Sequence, residues 1–250
     1  MQLNQNLAPR RESKLALRLA QGAEDLRRVQ KLRFDVFAGE MGAQLASADL
    51  GLDCDEYDDY CEHLIVEDQA SGMVVGTYRM LTPQAAARAP SLYSEHEFNI
   101  ARLEHLRPSL IEVGRSCVHK DFRTGGVITL LWAGLADYVR KHGCEYLAGC
   151  ASVSLADGGH QAVSLYRQLE GSHLAPAEWR VFPLLPLPLD RVLDDAAPAP
   201  MPALIKGYLR AGAFVCGEPA WDPDFNCADF FMLLSMNRLS KRYDKHFGSK

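Results

Sequence analysis

Between Leu110 and His142 the apolar pattern changes period once, and that change narrows what the chain can fold into. Leu110–Val118 is a short apolar run of strand length, interrupted by Glu112. Val127–His142 carries Ile128, Leu131, Leu135 and Val139 at helical spacing, an apolar stripe on one face. The polar segment between them, His119–Gly126, ends in two glycines. Strand, glycine loop and helix in that order set the open N–H groups of a helix terminus beside a strand end, a geometry that holds phosphate well. Arg123 adds a charged donor to the loop. An ordinary strand-to-helix turn would have the same outline.

The same two periods order the rest of the chain. Leu15, Leu17 and Leu19 alternate over Lys14–Ala20 and predict a strand, broken by Gly22. Leu26, Val29, Leu32, Val36 and Phe37 predict a helix over Ala23–Met41, with Arg27, Arg28 and Lys31 on its other face. His63–Glu67 and Met73–Leu81 read as a hairpin with a longer turn. Thr82–Pro108 is mixed, with helical parts. Tyr146–Leu155 reads as a strand and His160–Leu169 as a helix after the turn Asp157-Gly158-Gly159. Ala213–Cys216 and Phe230–Ser235 suggest a last pair of strands joined through Gly217–Asp229, and Asn237–Phe247 a short basic tail helix. Strands and helices interleave without a repeat, as in one mixed α/β domain. We expect a flexible N-terminus over 1–12 and a single domain over 13–250, with a proline-rich insertion near 180–202.

Composition excludes several classes of function. The formal net charge of -5 gives no support to nucleic-acid binding. The seven cysteines form no C-x-x-C pair, and the eight histidines lack an H-E-x-x-H spacing, so no metal site is expected. Reduced, packed thiols fit a cytoplasmic protein. No apolar run approaches the roughly 20 residues that span a bilayer.

Two further clusters carry chemistry. Asp53, Asp55 and Asp58 lie in an acidic loop that suits a cationic substrate, a metal or plain solvation, without the glycine and glutamate of a calcium-binding hand. In Ile111-Glu112-Val113-Gly114-Arg115, alternation puts Glu112 and Gly114 on one face and Arg115 on the other, unless a bulge turns Arg115 back. A glutamate among apolar neighbours is a general base in waiting or half of a structural ion pair with an arginine.

Taken together, these features resemble the GCN5-related N-acetyltransferase (GNAT) fold, a mixed, mostly antiparallel sheet flanked by helices. There the loop before the second main helix holds the pyrophosphate of coenzyme A. Here the usual Arg-x-x-Gly-x-Gly is shortened to Arg123-Thr124-Gly125-Gly126-Val127. The first half of the chain is similar to acyl-homoserine lactone synthases at Arg33 and Phe37, at Asp53, Asp55 and Asp58, at Arg79, and at Glu112 and Arg115. It departs from them in lacking a tryptophan after Phe37 and in having Asp53 where they have glutamate. The second half, in Leu204–Arg210, Gly217–Asn226 and Ala228–Phe231, resembles the bacterial ornithine N-acyltransferases.

This last resemblance implies transfer of a 3-hydroxyacyl group from acyl carrier protein to the α-amine of L-ornithine, giving lyso-ornithine lipid. It implies no tightly bound cofactor; the donor is an acyl-phosphopantetheine on the carrier, with one phosphate for the shortened loop to hold. The expected roles are Glu112 as base with Arg115 beside it, and Asp53, Asp55, Asp58 and Arg79 around the amine substrate. Asp55 and Asp58 could equally pair with Arg79 to hold the fold. Val118, His119, Arg123, Gly125 and Gly126 are expected on the phosphopantetheine. The basic stretches Arg10–Arg33 and Arg238–Lys250 offer faces to an acidic carrier protein or to the inner membrane surface, where transient contact would suit an amphiphilic product. The competing readings are a synthase acylating S-adenosylmethionine and a non-catalytic module that binds acyl carriers.

Overall fold

A computed structural model describes residues 14–191 and 200–238. The expected flexible N-terminus and most of the expected tail helix lie outside them. In chain order the elements are β1 (Leu15–Leu19), α1 (Gly22–Phe37), β2 (Glu62–Asp68), β3 (Met73–Leu81), α2 (Pro83–Ala86), β4 (Phe98–Asn99), β5 (Leu110–Val118), α3 (Gly126–Lys141), β6 (Tyr146–Ser154), α4 (His160–Glu170), β7 (Phe182–Pro183), α5 (Ala203–Ala211), β8 (Phe214–Val215), β9 (Ala220–Asp222) and β10 (Cys227–Ser235). The main sheet runs β1-β2-β3-β5-β6-β10-β8, with β9 on β10; β4 and β7 form a separate small pair. All neighbours in the main sheet are antiparallel except β5 and β6. This is the mixed, mostly antiparallel sheet that the resemblance to the GNAT fold implies.

The parallel pair decides where a ligand can enter. β5 and β6 are in register only from Leu110↔Tyr146 to Glu112↔Ala148. Beyond that β6 continues along β10 and β5 along β3, so the two strands part and open the sheet. The parting point is tight, because a Cβ on Gly149 would sit 2.1 Å from the Val113 carbonyl oxygen. A glycine there lets the strands touch before they diverge.

Helices close both faces. Val127, Leu131, Leu135 and Val139 of α3 are buried with Leu64, Val66, Val75 and Ile111 of the sheet. Val29, Leu32, Val36 and Phe37 of α1 pack on Ile65, Val74 and Cys117. Leu92, Phe98, Leu103 and Leu106 join Phe231 and Leu233 in a third cluster.

The sequence-based boundaries differ from the structure in three places. α1 stops at Phe37, four residues short of Met41, where turns through Gly39 and Gly42 begin. Leu204–Arg210 lies in a helix, α5, whose Ile205, Tyr208 and Leu209 are buried. Asp229 sits inside β10 instead of in the connection before it, because that strand starts at Cys227, held between β9 and Ser152–Ser154 of β6. No described helix is long and apolar enough to cross a membrane.

Candidate active site

A cavity of about 280 Å³ opens where β5 and β6 part. Its wall includes Val113–Val118 of β5, Cys150 and Ser152 of β6, and Asp222, Cys227 and Asp229 of the β9–β10 arm. Past Glu112, β5 has a strand partner on the β3 side only, so its outward backbone N–H and C=O groups face the gap. An amide-bearing chain laid in the gap can meet them as a strand would.

The β3–β5 register shifts at Thr77/Arg79, and Arg115 has φ of +49°. This is the bulge that strict alternation lacked, and it brings Arg115 into the same wall as Glu112. The Arg115 guanidinium lies between the rings of Tyr93 and Phe225, 4.7 and 4.8 Å from their centroids.

Glu112 is buried and fastened. Its Oε1 accepts the Ser94 N–H at 2.9 Å and the Ser94 Oγ–H at 2.6 Å; its Oε2 accepts the Tyr93 N–H at 2.6 Å. The carboxylate thereby caps the short turn Tyr93–His96. Burial pushes its pKa up, the donors of Ser94 and Tyr93 pull it back, and the net direction is upward. Two lone-pair positions per oxygen leave one of the four open, on Oε2.

Asp53, Asp55 and Asp58 do not belong to the cavity wall; their carboxylates are engaged with arginines. Arg33, fully buried, donates to Asp53 Oδ2 at 2.8 Å and to both Asp58 oxygens at 2.8 and 3.0 Å. Arg79 reaches Asp55 at 2.6 Å and Asp58 at 3.1 Å, and Arg115 reaches Asp55 at 3.2 Å and Asp53 at 3.3 Å. Burial alone would raise the Asp58 pKa, yet Arg33 and Arg79 hold it far below the usual carboxylate range. Of the residues expected around the amine, only Arg79 faces the cavity.

The loop residues divide similarly. Val118 and Arg123 line the cavity. Gly125, at φ of +100°, is the N-cap of α3, a left-handed position that suits glycine, and no side chain caps the first turn. The open N–H groups of Gly126 and its successors are therefore available. Arg123 donates to the Val118 carbonyl at 3.0 Å and pairs with Glu40 at 2.9 Å. His119 is not in the wall; its Nδ1 accepts the Asp121 N–H at 3.3 Å and caps the turn that follows. On the basic face of α1, Arg28 pairs with Asp25 and Glu67, and Lys31 with Asp35, so part of its charge is neutralised.

Sequence reasoning missed the other acids in the wall. Glu97 comes from the segment before β4, and Asp222 and Asp229 from the paired strands β9 and β10. Asp229 carried a signal, an acid inside the apolar run Cys227–Ser235; Glu97, in a polar stretch, carried none. Burial and then the neighbouring Asp229 push Glu97 well above its usual range, and burial with Asp222 nearby pushes Asp229 to about 6. Asp222, Cys227 and Asp229 bring potential ligand atoms within 4.8 Å of one another, a grouping that the histidine and cysteine spacings did not reveal.

The acetyltransferase (GNAT) domain family matches residues 32–133. An L-ornithine N(alpha)-acyltransferase of Brucella abortus (strain 2308) is 34% identical, over 94% of this chain and 89% of that one. One of the same name from Rhodobacter capsulatus is 36% identical, over 92% of this chain and 93% of its own length. The chain belongs to the L-ornithine Nα-acyltransferase family. It is an acyltransferase. Solved structures at low identity agree on the fold. The AHL synthase LasI superposes with a TM-score of 0.56 at 15% identity, over 94% of this chain and 96% of that one. FeeM, an N-acyl amino acid synthase from uncultured soil microbes, gives 0.58 at 10%, over 94% and 98%.

Proposed function

We propose that the protein acylates the α-amine of L-ornithine, taking a 3-hydroxyacyl group from acyl carrier protein. Family membership over more than nine-tenths of the chain is the observation that carries the acceptor. The donor is argued from the loop. An uncapped α3 terminus with a single arginine suits one phosphate on a pantetheine arm better than a pyrophosphate. The arm lies in the gap between β5 and β6, its amides on the free edge of β5.

Chemistry follows from placement. The neutral α-amine attacks the thioester carbonyl; an N–C bond forms, the C–S bond breaks, and the thiolate takes up a proton as it leaves. Glu112 accepts the amine's proton through the open position on Oε2, directly or through a water, and such catalysis is worth ~10²–10⁴-fold. A free backbone N–H of β5 stabilises the developing oxyanion. Arg115 and Arg79, spread over the Tyr93 and Tyr57 rings, present guanidinium edges for the amino-acid carboxylate. No acyl-enzyme is needed once both substrates are held together.

The test is a purified protein, a 3-hydroxyacyl carrier protein and a panel of amines that includes S-adenosylmethionine, followed by mass spectrometry. Acylated ornithine is the expected product. A released lactone from S-adenosylmethionine, or carrier binding with no transfer, would replace this reading. Glu112→Gln is expected to fold and to lose ~10²-fold or more in turnover; full turnover would remove Glu112 as the base.

A further inference from the structure

Four carboxylates face the cavity, those of Glu97, Glu112, Asp222 and Asp229. The three arginines in its wall are paired with other acids: Arg79 with Asp55 and Asp58, Arg115 with Asp53 and Asp55, and Arg123 with Glu40. Among the described residues, none of the four wall carboxylates forms an ion pair. Glu112 is satisfied by the donors of Tyr93 and Ser94. Glu97 and Asp229 have no backbone donor in the described hydrogen bonds, and Asp222 has its two backbone donors on one oxygen.

Among the described residues Glu97 Oε2 is buried without a hydrogen-bond partner, and the carboxylate's one side-chain donor is the neutral Cys150 thiol. Among the described residues Asp229 accepts two neutral donors, Ser152 Oγ–H at 2.6 Å and Cys227 Sγ–H at 3.4 Å. Asp222 uses Oδ1 to accept the N–H groups of Asp224 and Phe225 at 2.9 and 3.1 Å. Register pairing of Asp222 with Cys227 on the adjacent strand holds these acids together. Glu97 and Asp229 stand close enough in the cavity for each to oppose the other's charge, and a cation placed between them relieves that. A primary ammonium has three N–H donors and no acceptor, and three carboxylates match it. A metal ion fits the set less well. Burial, with Asp229 beside it, keeps Cys227 a protonated thiol, and that thiol donates to Asp229 instead of offering a thiolate.

We propose that Glu97, Asp222 and Asp229 form a subsite for a second, distal ammonium on the acceptor, so that the enzyme selects diamino acids over amino acids lacking the second amine. This rests on the reading that an α-amino acid is acylated at its α-nitrogen. It assigns the two charge signs of the cavity to two ends of one molecule: the arginine side to the carboxylate, the acidic side to the distal amine.

The experiment compares ornithine with norvaline, which has the same carbon chain without the distal amine, using the full-length protein and a hydroxyacyl carrier protein. The wild type is expected to prefer ornithine by ~30-fold or more in kcat/KM, the scale for losing one partner of a buried charge pair. Glu97→Gln and Asp229→Asn are expected to shrink that preference at least ~10-fold, chiefly by raising the KM for ornithine. Equal use of both acceptors by the wild type would overturn the subsite and leave α-acylation standing. Equal loss on both acceptors in the variants would also overturn it, since that marks a general base or a structural residue. No acylation of either acceptor by the wild type would remove the underlying reading, and the subsite with it. Two separate variants keep the subsite open to test if one of them does not fold.

Discussion

Two acidic triplets lie at the cavity, and one is paired with arginines while the other is not. Asp53, Asp55 and Asp58 lie against Arg33, Arg79 and Arg115, and Asp58 is held far below the usual carboxylate range. Glu97, Asp222 and Asp229 form no ion pair among the described residues; Asp229 is pushed up to about 6 and Glu97 well above its usual value. Both Asp58 and Asp229 are buried aspartates, so burial alone cannot separate them. The arginines do. Charge in the first triplet is spent on holding the loop after α1 to the sheet, whereas charge in the second is left for a ligand.

Removing the first triplet's counter-ion should have the largest effect. Arg33→Ala leaves Asp53 and Asp58 buried without their shared guanidinium, and we expect a loss of about 3–5 kcal/mol in urea unfolding. A loss below about 1 kcal/mol would mean that the cluster is not structural.

The second triplet should respond the other way. The Asp229 pKa is raised in the fold, so the folded state holds the proton more tightly than the unfolded chain does. Its ionisation therefore costs stability as pH rises from about 4 through about 6, and the penalty is full above that. Glu97 and Asp222 oppose the charge, Arg115 favours it, and Ser152 and Cys227 donate to it. Asp229→Asn should gain on the order of 1–3 kcal/mol at pH 8, and the gain should vanish near pH 4. Thermal unfolding across that range checks it; a variant destabilised equally at both ends would contradict the assignment.

Arg123 gives the smallest stability effect. Its pair with Glu40 is half-exposed, so Arg123→Ala should move stability by less than ~1 kcal/mol. The KM for the acyl donor should still rise severalfold, and an unchanged KM would remove Arg123 from the phosphate site.

Much of the scaffold was legible because its periods are clean. The stripe on α3, the run of β5 and the β2–β3 hairpin all appear in the apolar pattern. Glu112 also stood out, as a glutamate inside an apolar strand, with its role open between a general base and half of an ion pair. What local pattern cannot carry is assembly from a distance. Asp222 and Asp229 share a wall because β9 folds onto β10 and β10 onto β6, and Glu97 joins them from a segment more than 120 residues earlier. Asp53 and Asp58 looked like a ligand site for the same reason: the arginine they satisfy is 20 and 25 residues away. α5 was missed because, at nine residues, it is too short for a convincing period.

The most direct measurement is the site of acylation on ornithine. The protein is given hydroxyacyl carrier protein and ornithine labelled at the α-nitrogen, and the product is fragmented in a mass spectrometer. The account predicts the acyl group on the labelled α-nitrogen, with the distal amine free to sit against Glu97 and Asp229. An acyl group on the distal nitrogen would reverse the two ends of the substrate and contradict it.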